Sequence, residues 1–169
     1  MSVSQDGGVS VQRPADAPDR WRGSFSVLPL CVKSSDVPVE LKDVRATKTS
    51  GEVGNMEVWV MTPRDDRGRG LMFASAVGAP PIFEEVYARS SREYARHLEI
   101  VEAEGRRVES TDCRGREVSQ LVVSFSTNRS GGAIQEWEVL YAAGEELFTT
   151  GPIAWEFVLC GDASPADLC

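Results

Sequence analysis

Between Phe83 and Val101 the apolar residues recur at helical steps: Phe83, Tyr87, Tyr94, Leu98 and Val101, with Ile82 and Val86 widening the stripe. This spacing predicts one long amphipathic helix. Pro80-Pro81 suit its first turn, where a missing N–H costs nothing. The opposite face carries Glu84, Glu85, Arg89, Arg92, Glu93 and Arg96. The pairs Glu85–Arg89 and Arg89–Glu93 contribute about 0.2–0.5 kcal/mol each on an exposed helix. Burial of each large apolar side chain contributes about 1.5–3 kcal/mol, so packing of the stripe decides the outcome. Gly105 is a good stop, although Leu98–Glu102 also reads as extended.

After Gly105 the period changes to two. Leu121, Val123 and Phe125 share one face, and Gln120, Ser124 and Ser126 the other. The turn cluster Asn128–Gly132 precedes a second alternating run, with Trp137, Val139 and Tyr141 facing in and Glu136 and Glu138 facing out. Gly144 marks another turn before Leu147–Thr150. Ile153, Trp155, Phe157 and Leu159 then alternate up to Cys160. One apolar face per strand predicts an antiparallel sheet covered on one side. Upstream, Met56–Thr62 and Leu71–Val77 read as a hairpin around Pro63–Gly68, and Phe25–Leu30 and Val39–Thr47 as further strands. The expected fold is therefore α+β, an antiparallel meander with one long amphipathic helix on one face. Residues 1–20 lack an apolar pattern and read as a disordered tail, 21–160 as one domain, and 161–169 as a short loose tail.

Composition narrows the function. The 169 residues are 41% hydrophobic with a formal charge of −8, which suits one domain and disfavours nucleic acid and anionic lipid. The first residues lack a signal-peptide pattern, and no run approaches the roughly 20 apolar residues of a membrane span. A cytoplasmic location and no membrane insertion are the expectation. Cys31, Cys113, Cys160 and Cys169 lack paired metal spacing, and without an export signal they read as free thiols. Cys31 and Cys160 then serve as small buried hydrophobes, and Cys113, beside Arg114 and Arg116, as an exposed thiol.

Candidate chemistry is sparse. The single histidine, His97, sits near the predicted helix end, where the helix dipole suffices to explain it. Glu136 and Glu138 lie two apart on a strand, a spacing that solvent-facing glutamates share. Gly68-Arg69-Gly70 and Gly131-Gly132 are not phosphate-binding loops. No catalytic residue, metal site or cofactor is expected.

The helix, the run Gly115–Phe125, the strand Gly132–Tyr141 and the segment Glu146–Thr150 together resemble the PsbP/DcrB-like superfamily over about Phe25–Leu159. The resemblance implies a PsbP-like sandwich and non-enzymatic roles: photosystem extrinsic subunits, a Ran-binding factor, bacterial lipoproteins and chaperones of secretion effectors. The chain departs from it in lacking a C-terminal helix and a lipoprotein signal, and no functional residue carries over.

Two functions from different classes follow. The first is a non-enzymatic protein-binding module of the bacterial cytoplasm, adaptor or chaperone-like, contacting a protein partner through the outer meander face near Arg129 and Gln135, with Trp21 at the edge. The second is a small-molecule-binding or enzymatic α+β cone. Its apolar pocket would be lined by Phe83, Tyr87, Trp137, Tyr141 and Trp155, with His97 and Glu138 as polar groups.

Overall fold

The computed structural model describes residues 7–32, 37–69, 74–80, 82–85, 96–108, 118–164 and 169. Within them the chain forms strands β1 (Gly7–Gln12), β2 (Trp21–Leu30), β3 (Val39–Gly51) and β4 (Gly54–Pro63), then a four-residue helix α1 (Asp66–Arg69). There follow β5 (Ser75–Ala79), β6 (Ile82–Glu85), β7 (Leu98–Glu102), β8 (Arg107–Val108), β9 (Ser119–Thr127), β10 (Gly131–Ala143), β11 (Glu146–Thr149) and β12 (Trp155–Cys160). One sheet runs β1-β12-β10-β3-β8, with β11 also pairing β10; the other runs β6-β5-β2-β9-β4-β7.

The two sheets pack as a sandwich. Its core takes Phe25, Val60, Leu121, Val123 and Phe125 from one sheet and Leu41, Val44, Trp137, Val139, Phe157 and Leu159 from the other. Phe25 bridges the layers, its ring 5.8 Å from Phe125 and 5.2 Å from Phe157. The inward phases predicted for Leu121, Val123, Phe125, Trp137, Val139 and Phe157 are observed, all nearly or fully buried.

The α+β expectation fails. The stretch predicted as one helix is strand at both ends, β6 and β7; residues 96 and 97 are helical, 86–95 lie outside the described residues, and no helix among the described ones reaches seven residues. The physical reason is that both faces of the second sheet are covered. Leu98 and Ile100 pack outward with Met61, Ala76, Phe83 and Val122, whereas Val101 packs into the inter-sheet core. A strand buried on both sides loses its period of two, and its two apolar faces combined imitate a helical stripe. The same cover buries Ser24 and Ser124, whose hydroxyls donate to Gly78 O and Gly23 O.

Connectivity differs too. β4 and β5 are not a hairpin: β9 and β2 lie between them. The Asn128–Gly132 turn forms, with the Gly131 N–H donating to Asn128 O, but it carries the chain from one sheet to the other. A meander reading assumes that sequential strands pair, and this chain changes sheets repeatedly. The fold is consequently not the sandwich implied by the PsbP/DcrB-like resemblance.

Both ends are tied in. Where a loose tail was expected, β1 pairs parallel with β12, from Gly7 opposite Trp155 to Gln12 opposite Cys160. A Cβ at Gly7 would lie within 3 Å of the Trp155 ring, so only glycine lets the strand approach. Cys160 and Cys169 form a disulfide with Cα atoms 5.9 Å apart. Cys31 is disulfide-bonded as well, and none of the described cysteines is free. The free-thiol expectation is overturned for these three. It rested on an expected reducing compartment and not on cysteine geometry.

Candidate functional site

An exposed arm is formed by β10, β11 and the start of β3. β10 and β11 make a tight hairpin from Leu140↔Thr149 to Ala143↔Glu146. Gly144 takes the first central position with φ +64°, the place where a type II′ turn favours glycine. A Cβ there would also lie 3.2 Å from Val37 Cγ1. Among the described residues the large exposed hydrophobics are Val37 (43%), Leu147 (63%) and Phe148 (40%), and all three lie at this end of the molecule.

Two interactions stiffen the arm. The Tyr141 and Phe148 rings stack at 5.6 Å. Glu138 accepts hydrogen bonds from Arg45 Nε on β3 and, at 3.2 Å, from Thr149 Oγ1 on β11. The Arg45 bond, more than the Thr149 one, holds the Glu138 carboxyl below its ordinary value. This glutamate therefore joins three strands. Tyr141 was expected inside with Trp137 and Val139; it keeps their alternation and pairs with the core residue Leu41, the extra residue of the bulge being Lys42 on β3, but it is only half-buried, with its ring stacked on Phe148.

The residues expected to line one pocket are not brought together. Trp137 is fully buried in the filled core, its Nε1 donating to Trp155 O at 3.1 Å. Trp155 is half-buried against the same core and against Gly7. Phe83 lies in the outer cluster of the other sheet, and Tyr87 lies outside the described residues. A cleft of about 840 Å³ opens elsewhere, at the end of the sandwich lined by Leu30, Leu41, Val60, Val101, Arg106 and Arg107.

Arg96 and His97 are helical, directly before β7, so His97 does stand at a helix end, and it also has a side-chain partner. It is buried, with Nδ1 2.7 Å from Asp65 Oδ2, and its carbonyl accepts the Arg64 N–H. Asp65 in turn accepts the Gly68 N–H at 2.8 Å. A Cβ at Gly68 would collide with the His97 carbonyl, so the pair clamps the α1 turn onto the end of β4. The hydrogen bond with His97, then that from Gly68, holds the Asp65 carboxyl below its ordinary 3.8. A carboxyl depressed by folding contributes stability above its ordinary pKa, and that contribution is lost as pH falls through the folded value. Asp65→Asn is accordingly expected to lower the melting temperature at neutral pH and to flatten its decline below the ordinary carboxylate range. An unchanged acid limb in thermal melts would rule this clamp out.

The three residues expected at a partner surface are scattered. Trp21 is buried in the core as the first residue of β2. Arg129 is exposed but engaged within the chain, 3.2 Å from Asp162 and 3.9 Å from Asp19. Gln135 is half-buried at a β10 bulge, beside a groove of about 570 Å³ that Lys48 and Glu156 also line. Among the described residues, no three His, Cys, Asp or Glu side chains gather closely enough to hold a metal ion. No described helix is long and apolar enough to cross a membrane.

No protein-family model matches this chain, no curated protein does, and no solved structure matches it.

Leu147 and Phe148 are the residues that sequence reasoning missed. The signal was present: adjacent apolar residues in a short strand must point to opposite faces. Here β11 has neither face on the core, so both are exposed.

Proposed function

We propose that this chain is a non-enzymatic protein-binding β-sandwich module that contacts its partner through the β10–β11 arm. The observation carrying this reading is that Val37, Leu147 and Phe148, the large exposed hydrophobics among the described residues, all border the β10–β11 hairpin, Leu147 and Phe148 on its two faces and Val37 beside its turn. Exposed apolar residues scattered singly need no explanation, but a cluster marks an interaction site. Backbone adds to it: β11 pairs only β10 among the described strands, so its outer N–H and C=O groups are available to an added strand. Trp137, named for the pocket of the cone reading, is instead fully buried against Phe157, which supports the binding reading. The disulfides at Cys31 and between Cys160 and Cys169 favour an oxidising compartment for the module, since cytosolic thiols are kept reduced.

A photo-cross-linking amino acid placed at Leu147 tests the surface, with the same group at exposed Glu104 as the control. Irradiation in the native host is expected to give a discrete protein adduct from position 147 and none from 104. Equal labelling at both positions, or none at 147, would remove the arm as the binding surface.

A further inference from the structure

The arm's outer edge has a property that narrows the choice of partner, and the inference rests on the protein-binding reading above. The Thr150 N–H donates to Val139 O at 3.0 Å. In an antiparallel ladder hydrogen-bonded pairs alternate with non-bonded ones, so with the observed register Tyr141↔Phe148 and Ala143↔Glu146 are the bonded pairs. Leu147 and Thr149 consequently direct their N–H and C=O groups away from β10. A strand added to this edge must match Leu147 or Thr149 with residues that also face outward.

β11 can satisfy that condition with itself. Placing a two-fold axis at Phe148 sets Leu147 opposite Thr149 of the other copy, and Thr149 opposite its Leu147. Both are bonded pairs, and all the residues used lie within the strand. Phe148 then faces its own equivalent at a non-bonded position, where side chains come closest. Glu146 falls opposite Thr150 and Glu145 opposite Gly151, so no two carboxylates meet. Centring the axis on Leu147 instead would require the turn residue Glu145 to pair with Thr149.

We infer that a second copy of this chain occupies the β11 edge, joining the two β11-bearing sheets antiparallel about a two-fold axis at Phe148. The interface is isologous, the commonest form of closed assembly. With one short strand from each copy, its affinity lies in the weak, concentration-dependent range.

Two measurements test this. Sedimentation from low micromolar to near-millimolar concentration is expected to show a monomer–dimer equilibrium. Thr149→Pro, which removes an N–H that β10 does not use, is expected to weaken it roughly tenfold or more. Phe148→Cys is expected to form a covalent dimer under oxidising conditions faster than Leu147→Cys, although Leu147 is the more exposed residue. A chain monomeric throughout, or faster cross-linking at 147 than at 148, would overturn the second-copy assignment. The photo-cross-link at Leu147 to a different protein would then still support the wider binding reading, and its absence would remove both.

Discussion

Trp137→Ala is expected to destabilise the fold by about 3–5 kcal/mol, the usual cost of deleting a large buried aromatic side chain. Trp137 is fully buried, its ring centroid 5.6 Å from that of Phe157. Its indole N–H also satisfies the Trp155 carbonyl, so the truncation leaves a cavity and an unpaired acceptor together. For a domain of this size the loss corresponds to a fall in melting temperature of roughly 6–20 °C. It is also a large share of the roughly 5–15 kcal/mol that holds a typical domain folded. Chemical denaturation of the variant checks the figure. A tryptophan lining a ligand pocket would behave differently, since its removal would spare stability and weaken ligand binding. A melting temperature within a degree or two of the parent would mean that the two sheets do not meet around this residue.

Strand phases were legible in the sequence where one face of a strand meets the core and the other meets solvent. Trp137 and Val139 alternate with Glu136 and Glu138 for that reason, and their burial follows the alternation. The β10–β11 turn was legible at Gly144 because a tight hairpin needs positive φ there. Legibility failed where a second layer covers the sheet. In β4, Met61 packs outward while Val60 packs inward, and β7 divides Leu98 and Val101 in the same way. No period survives such a division, and a helix is a fair reading of what remains. Bulges were a second cause: the one opposite Leu140 and Tyr141 adds Lys42 to β3, so that Leu41 and Val44 both face the core although they lie three residues apart, and nothing local in the sequence marks it.

Long-range pairing was a third cause. The strand character of β1 comes from Gly7 and Gly8 fitting against Trp155 and Glu156, far along the chain. Read locally, Gly-Gly-Val-Ser-Val-Gln has too little apolar content to fold alone. The partner of His97 was missed for the same reason. Asp65 is distant in sequence, and only the return of β7 beside β4 joins the two. The candidate surface was legible only in part, because exposure of Leu147 and Phe148 depends on where the core ends.

The central claim is that the arm binds protein while contributing little to the fold. Leu147→Asp with Phe148→Asp tests it most directly. Both side chains are substantially exposed, so surface charges there are expected to leave the melting temperature close to the parent value. At an interface, by contrast, each residue would be desolvated, and losing two central anchors costs at least about 2 kcal/mol each. Affinity for the partner, measured by surface binding with purified components or by sedimentation for a second copy, is expected to drop by roughly two orders of magnitude or more. Undiminished affinity in a variant that melts with the parent would contradict the account, because the apolar edge would then be neither structural nor functional.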